Sequence, residues 1–508
     1  MRSEKYDFVI IGSGMGGLSA AVILAKHGYK VVVLEKNHQI GGALQVFSRD
    51  KCIFDTGVHY LGGLDKNENL YQFFKYLEIY DDLKLQALDR DCFDMIRFAD
   101  GTSYQHGQGY DNFSKFLIKS FPDETEAIEK FCNKIQEICS QFPLYNIKEQ
   151  TADSYIHNPD ILGIGAWDYV CSITNNMRLR NVLLGSGPLY AGEIKSTPLY
   201  VVALIMNSYI KGSYRLIDGG SQIAKHLSKR IREKGGSVLK HKEVISANYN
   251  ESGALVSVNC LDGSVYEGNY FISNLHPSLT IEIFGKEKFV PAYRTRINKL
   301  ENTVSSFMVY ISFHENSFPY FNHNFYDYYT ENVWDTVEYD QENWPQAMYI
   351  CTPASSKSNT YAESICIMCY MSIEEVKQWE STFNTVSNPE NRGEEYKKFK
   401  QEKEELVIRR LESKYPYIRK SIRNVYSSSP LTYKDYIGTP NGSLYGVKKN
   451  FRDPVSSTIY TRTRIPNLYL TGQNIVFHGI LGTTVGAFVT CLNFIDNKKL
   501  INEIKAYE

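Results

Sequence analysis

The sequence predicts an α/β protein in which a domain built on a parallel sheet is interleaved with a second, mixed α+β domain. A strand–glycine–helix–strand pattern opens the chain at residues 7–36, and glycine-rich strand and helix patterns recur at 214–249 and 465–495. Two long aromatic-rich stretches of different character lie between these passages. At 508 residues, the chain is long enough for two such domains.

The first element, residues 7–36, reads DFVIIGSGMGGLSAAVILAKHGYKVVVLEK. Its apolar run at 8–11 predicts a strand buried on both faces of a parallel sheet. Gly12, Gly14 and Gly17 follow with the G-x-G-x-x-G spacing, which permits a tight turn, close approach to a pyrophosphate and close packing of helix on strand. A second strand at 30–34 ends in Glu35, an acid placed to accept hydrogen bonds from an adenosine ribose.

The order of strand, glycines, helix, strand and acid predicts a Rossmann-like ADP-binding unit. The helix N-terminus offers free N–H groups and the positive end of its dipole to a diphosphate. An ordinary glycine turn is disfavoured, because five features agree in order within thirty residues. FAD and NAD are equally compatible with this unit.

Composition excludes several other classes of function. Lys and Arg together number 56 and Asp and Glu 57, so no charge imbalance points to nucleic acid or an anionic membrane surface. No apolar run reaches the length of about 18 residues that a membrane-spanning helix needs. The segment before the first strand, residues 1–6, is short and charged, so we expect no signal peptide and a cytoplasmic location. The 38 tyrosines suit a large apolar pocket, although biased composition explains them equally well.

The cysteines predict no metal site. The ten cysteines are scattered, which fits a reducing compartment. Cys366 and Cys369 form the one C-x-x-C, in an apolar run that predicts a strand, where residues three positions apart face opposite sides. Without a second pair or a nearby set of histidines, we predict buried structural cysteines. Other catalytic motifs are absent, so a cofactor must carry the reaction.

The later passages support the interleaved arrangement. Residues 65–210 predict amphipathic helices, one of them interrupted at Pro122. At 214–249, Gly219 and Gly220 precede a helix and short strands, a passage compatible with a return to the first sheet. Residues 290–455 predict the sheet and loops of a substrate domain. Their most aromatic stretch, residues 313–344, is acidic, so nucleic-acid binding is disfavoured. A charged helix with one apolar face is expected near residues 394–416.

The C-terminal passage, residues 465–495, places glycines at the start of a last helix. A second helix N-terminus aimed at a ligand suits a flavin, because reduction puts negative charge near N1 and C2=O of the ring. An NAD enzyme has no obvious need for this feature. Close helix packing alone is the alternative explanation for these glycines.

These motifs together resemble the FAD-dependent amine oxidase and phytoene desaturase superfamily, and more narrowly its carotenoid isomerase and retinol saturase branch. The matching stretches include FDTGVHYLGG, ISNLHP, SPLTYKDYIGTPNGSLYG and NLYLTGQNIVFHGILGTTVGA. The resemblance implies a Rossmann-like FAD-binding domain of the GR2 type from residues 1–64, 212–290 and 460–508. It implies a substrate-binding domain from 65–211 and 291–459. Because no second G-x-G-x-x-G exists, we expect NAD(P)H only as a transient reductant, or an electron-donor partner instead.

The resemblance also assigns cofactor contacts residue by residue. Amine oxidases often have an acid where Gln473 stands here, and a glutamine still hydrogen-bonds ribityl or phosphate groups. The expected contacts are Gly12, Ser13, Gly14 and Gly17 with the pyrophosphate, Glu35 with the adenosine ribose, Lys36, Gly42 and Ala43 near the ribityl chain, Val244 with adenine, and Gly472, Gln473, Leu481 and Thr483 with the flavin.

The expected function is FAD-dependent oxidoreduction at carbon–carbon double bonds of a long hydrophobic polyene, retinoid-like, carotenoid-like or lipid substrate. Saturation by hydride transfer from flavin N5 is the leading hypothesis, with His59, Tyr60 or Tyr445 as the proton donor; a structural role for His59 fits the sequence equally well. Desaturation and cis–trans isomerisation stay open. A non-catalytic lipid-binding relative of the Rab GDP-dissociation inhibitor type is disfavoured by the intact glycines. Peripheral membrane contact is a further open expectation.

Overall fold

The computed structural model describes residues 5–148 and 159–508. Its strands are β1 (Lys5–Ile11), β2 (Val31–Leu34), β3 (Val46–Arg49), β4 (Cys52–Asp55), β5 (Leu61–Gly62), β6 (Leu85–Ala87), β7 (Asp94–Phe98), β8 (Ser103–His106), β9 (Ser213–Leu216), β10 (Ser237–Leu239), β11 (Val244–Tyr249), β12 (Leu255–Cys260), β13 (Val265–Ser273), β14 (Ser305–Phe313), β15 (Asn324–Tyr328), β16 (Ala347–Cys351), β17 (Ser364–Met371), β18 (Ile422–Ser428) and β19 (Leu468–Leu470). Its helices are α1 (Met15–Lys26), α2 (Asn69–Tyr76), α3 (Tyr110–Ser120), α4 (Thr125–Ser140), α5 (Pro159–Leu162), α6 (Ala166–Ile173), α7 (Met177–Leu183), α8 (Leu199–Ile210), α9 (Ser221–Glu233), α10 (Pro277–Ile283), α11 (Pro291–Lys299), α12 (Gly393–Lys414), α13 (Ile418–Ser421), α14 (Pro430–Ile437), α15 (Gly479–Cys491) and α16 (Asn497–Lys505).

The first sheet joins strands from three separate parts of the chain. β1 pairs in parallel with β2 and with β13, and β10 pairs in parallel with the outer side of β2. β13 pairs with antiparallel β12 at residues 265–267 and with parallel β19 at residues 271–273. The middle and C-terminal passages therefore return to the sheet of the first strand. This arrangement confirms the predicted α/β class and its Rossmann-like unit.

The glycines of the first turn hold α1 close to this sheet. Gly12 has a φ of +94°, a conformation that favours glycine. A Cβ at Gly17 would lie 2.2 Å from the Gly12 carbonyl oxygen, so only glycine permits this approach. α1 also packs against α15 and α9, which covers one face of the sheet with helices.

A second, mostly antiparallel sheet has the order β18-β14-β17-β16-β15-β7-β8. β7 and β8 come from the first aromatic-rich stretch and the other strands from the second. Alternate residues of β17 join different hydrophobic clusters: Cys366 belongs to the main core, and Cys369 packs with α12 on the other face. The predicted strand and its two-sided cysteines are confirmed.

The helical predictions also hold. A break at Pro122 separates α3 from α4, as proline requires. α12 buries Tyr396, Val407, Ile408 and Leu411, and none of its charged residues is buried. Among the described residues, no helix is both long and apolar enough to cross a membrane.

Candidate functional site

A cavity of about 600 Å³ extends from the glycine turn after β1 to the inner face of the second sheet. Residues of both sheets, of the loops after β4 and β19, and of α14 line it. The predicted site residues among its lining are Gly12, Ser13, Gly14, Glu35, Lys36, Gly42, Ala43, His59, Tyr60, Val244, Tyr445, Gly472, Gln473 and Thr483.

Two predicted contacts lie outside this cavity. Gly17 packs against the Gly12 carbonyl and Asn274, which fits the close packing of helix on strand that the glycine spacing predicts; its pyrophosphate contact stays a prediction. Leu481 lines a smaller neighbouring cavity of about 80 Å³, and its flavin contact stays a prediction. The two cavities share Leu189, Tyr209, Gly479 and Ile480, so the smaller one extends the apolar end of the larger.

At the first end of the cavity, the Glu35 carboxylate is held in place at the carboxyl end of β2. The Ser13 N–H and Oγ donate to Oε2 of Glu35 at 3.1 and 2.5 Å. The Asn37 N–H donates to Oε1 at 2.8 Å. Lys36, the next residue, donates from Nζ to the Asp435 carbonyl oxygen at 2.8 Å and so connects this end to α14. The acid thus lies where the sequence pattern places a ribose contact.

Two helix N-termini face the cavity, and both lack the usual side-chain caps. α1 begins after Gly14 and α15 begins at Gly479; neither has a capping hydrogen bond from a side chain or an acid in its first turn. Gly14 and Gly16 line the cavity at one helix, and Gly479 and Thr483 at the other. Uncapped N–H groups and positive dipole ends suit a diphosphate and a reduced flavin ring. The residues present therefore fit FAD.

Asn274 is a site residue to which the sequence reading assigned no role. It follows β13, the strand beside β1, and its Nδ2 donates to the Gly12 carbonyl oxygen at 3.3 Å. A Cβ at Gly16 or Gly472 would lie 2.7 or 2.5 Å from its Oδ1. Asn274 therefore packs between the two glycine turns. Its position directly after a parallel strand of the same sheet was the available signal, since ligands bind at the carboxyl ends of such strands.

At the other end of the cavity, His59 lies beside two cysteines. One nitrogen of His59 and the sulfurs of Cys351 and Cys366 all lie within 4.8 Å of one another. The sequence shows no histidine near Cys366, but folding brings the loop after β4 against β16 and β17 and so places His59 beside it. Although burial favours a neutral ring, the adjacent Cys351 raises the pKa of His59. Burial opposes ionisation of Cys351 as well, but contacts with Cys366 and His59 lower its pKa.

Tyr60 joins the cavity to a fully buried carboxyl group. Its hydroxyl donates to Oδ2 of Asp94 at 3.0 Å and lies 2.6 Å from the Tyr326 hydroxyl. Asn324 Nδ2 donates to the other oxygen of Asp94 at 2.9 Å. Burial raises the pKa of Asp94 to about 7, so this group holds a proton in a large fraction of molecules at neutral pH. Neither Asp94 nor this network was predicted.

Tyr445 lines the cavity but its hydroxyl is engaged. It donates to the Pro188 carbonyl oxygen at 2.6 Å, and its ring lies 4.3 Å from that of His478. Burial raises the pKa of Tyr445. The hydroxyl of Tyr60 is engaged in the same way and burial raises its pKa as well, so all three predicted proton donors stay candidates.

Comparison with known proteins agrees with this arrangement. A family model described as an NAD(P)-binding Rossmann-like domain matches residues 10–77. The chain is 26% identical to all-trans-retinol 13,14-reductase of Danio rerio, over 98% of this chain and 87% of the relative. It is 22% identical to the chloroplastic prolycopene isomerase of Daucus carota, over 93% and 77%. A Danio rerio protein named inactive all-trans-retinol 13,14-reductase is 24% identical, over 97% and 86%.

Among solved structures, a putrescine oxidase variant covers 99% of this chain and 99% of its own, with a TM-score of 0.65 and 13% identity. That likeness shows a shared two-domain fold. The relatives confirm the resemblance that the sequence motifs indicated, along nearly the whole chain.

Proposed function

We propose that this chain is an FAD-dependent oxidoreductase that saturates a carbon–carbon double bond of a long hydrophobic substrate, a polyene or related lipid. One observation carries the proposal: a single cavity is lined by two uncapped helix N-termini, by Glu35 and by a tyrosine-rich apolar wall that includes candidate proton donors. The relatives named retinol reductase and prolycopene isomerase support this class of substrate.

When bound, reduced FAD supplies a hydride from its N5 atom. The chain must then hold the substrate, exclude water and deliver a proton to the second carbon. Tyr209, Tyr349 and Met368 form part of the apolar wall near His59 and Tyr60. The Tyr60 hydroxyl is hydrogen-bonded to Asp94, whose proton replaces the one that Tyr60 gives up. NAD(P)H visiting the site, or an electron-donor partner, would restore the reduced cofactor.

Isomerisation is the second candidate, favoured by the prolycopene isomerase relative. The same cavity serves it, but no net electrons pass to the substrate. Lipid carriage without catalysis, as in Rab GDP-dissociation inhibitors, is disfavoured because both glycine turns and Glu35 are arranged around one cavity. Peripheral docking on a membrane would be a route for a hydrophobic substrate to reach this cavity.

Anaerobic single turnover separates these functions. Pre-reduced holoenzyme is mixed with a conjugated polyene while flavin and polyene absorbance are followed together. Saturation oxidises one flavin for each double bond lost, whereas isomerisation changes the polyene spectrum without net flavin oxidation. A protein that never holds flavin, even after reconstitution, would overturn both enzymatic proposals.

Variants test the proton donors in the same assay. His59→Gln and Tyr60→Phe preserve size, so flavin content should survive while turnover falls about 100- to 10,000-fold. Tyr214→Phe is a matched control, because the Tyr214 hydroxyl bonds Asp65 outside the cavity. If both donor variants react at the parental rate, His59 and Tyr60 are structural and Tyr445 is the remaining predicted donor.

A further inference from the structure

The inner face of the second sheet carries two cysteines that the proposed reaction does not use, beside His59, which it does. Cys351 of β16 lies directly opposite Cys366 of β17 in the antiparallel register. Opposed residues of neighbouring strands project to the same face of a sheet, so the two sulfurs share one side. His59 comes to the same place from the loop after β4, and the three candidate ligand atoms all lie within 4.8 Å of one another.

We infer that His59, Cys351 and Cys366 form a binding site for a thiophilic divalent cation, zinc being the natural candidate. Zinc lies about 2.3 Å from sulfur and about 2.0 Å from nitrogen, so a tetrahedral site places its ligand atoms about 3.5–3.8 Å apart. The observed cluster needs to contract by only about 1 Å. Both cysteines are free thiols.

A second observation is that one ring nitrogen of His59 lacks a partner. Nδ1 of His59 is buried and has no hydrogen-bond partner among the described residues. Buried polar atoms are almost always paired, and a metal-bound imidazole normally uses its second nitrogen to bond a neighbour or a water. Coordination through Nδ1 would give this buried atom its missing partner and leave Nε2 as the second nitrogen, so we take Nδ1 as the ligand atom.

The charges of the site suit its burial. Two thiolates and a neutral imidazole cancel the charge of a divalent cation, and binding releases two thiol protons. Asp55 and Arg215, the flanking charged groups that act on His59, have opposite signs. Cys351 and Cys366 are 1% and 0% exposed and, of the three ligands, His59 alone lines the cavity, so a metal that enters from the cavity passes His59.

Metal occupancy opposes proton donation by His59, because a metal-bound imidazole cannot become imidazolium and its remaining N–H is a far weaker acid. Zinc should therefore inhibit turnover reversibly. This consequence rests on the proposed function, whereas binding of the metal does not.

The test titrates the FAD-loaded protein with Cd²⁺ and follows the ultraviolet cadmium–thiolate absorption, with Zn²⁺ as competitor. We expect one equivalent to bind. Cys351→Ser and Cys366→Ser should each raise the dissociation constant more than about 100-fold, and His59→Gln, which keeps both thiols, should raise it about 10-fold or more. Cys369→Ser is the matched control: it changes a buried cysteine of the same strand whose side chain packs in the other core.

Flavin content and melting temperature confirm that each variant is folded. The inference is overturned if the parent protein binds no cadmium, or if Cys351→Ser and Cys366→Ser bind it as tightly as Cys369→Ser. The proposed function is tested separately, by anaerobic single turnover. If the protein binds cadmium but does not reduce the polyene in that assay, the proposed function is overturned and the metal site is still supported.

Discussion

The Glu35 side chain both holds the glycine turn after β1 in place and is positioned for a contact with the cofactor. Its carboxylate fixes Ser13 and Asn37 and lies at the end of β2, where an adenosine ribose is expected. A hydrogen bond to a charged group contributes about 1.5–3 kcal/mol, so Glu35→Ala should raise the FAD dissociation constant about 10- to 100-fold. Fluorescence titration measures this change. Glu35→Gln retains an acceptor and should lose less, and an unchanged constant in Glu35→Ala would show that the carboxylate does not contact the ribose.

Asp94 makes stability depend on pH. Its pKa rises from the ordinary value of 3.8 to about 7 in the folded protein, because burial disfavours the charged form. The stabilising contribution of the protonated form is complete below pH 4 and is lost as pH rises through 7, on the order of 4 kcal/mol in total. An asparagine at this position does not ionise, so the Asp94→Asn variant should not lose this stability as the pH rises. Urea unfolding between pH 5 and 8 should therefore show the variant gaining stability relative to the parent as pH rises; parallel curves would contradict the assignment.

At the scale of elements, substitutions at two glycines near the start of α1 should affect cofactor binding and folding separately. Gly14 has extended backbone angles, φ −65° and ψ 173°, which valine adopts readily. A Cβ there would approach only the Asn274 amide, at 3.0 Å. Gly14→Val should therefore fold but lose FAD, because its side chain occupies the space that the pyrophosphate needs. Flavin absorbance and apoprotein melting temperature measure both effects.

Gly16, in the same turn of α1, provides the contrast. A Cβ at Gly16 would lie 2.8 Å from the Cα of Gly472, so Gly16→Ala forces two glycine turns apart and should lower the melting temperature of the apoprotein itself. If Gly14→Val retains stoichiometric FAD, the cofactor does not lie where the cavity indicates.

At the scale of the whole molecule, one ligand site joins distant parts of the chain. The cavity lining comes from residues 11–60, 188–209, 242–283, 326–368 and 433–483. A ligand that binds only the folded state stabilises it by RT ln(1 + [L]/Kd), about 2.7 kcal/mol at one hundred times the dissociation constant. Added FAD should therefore raise the melting temperature of the apoprotein in a concentration-dependent way. The same titration of Gly14→Val should show no shift, and a shift of parental size there would contradict a shared site.

The sequence by itself determined the Rossmann-like unit and the return of the middle and C-terminal passages, and all of its predicted cofactor contacts except Gly17 and Leu481 line the cavity. Those features are local. A glycine spacing, an apolar periodicity and an acid at the end of a strand each depend on only a few neighbouring residues. Gly17 and Leu481 do not line the larger cavity, because a motif identifies a turn of helix but not which of its sides faces the cavity; their cofactor contacts stay predictions.

Only the tertiary structure decided what surrounds the reactive end. His59 contacts two cysteines that lie hundreds of residues away in the chain, and Tyr60 reaches Asp94 at the start of β7. Cys351 and Cys366 meet because of the register between β16 and β17, and a slip of one residue would turn them to opposite faces. Register and sheet packing depend on the whole core, so no pattern along the chain records them.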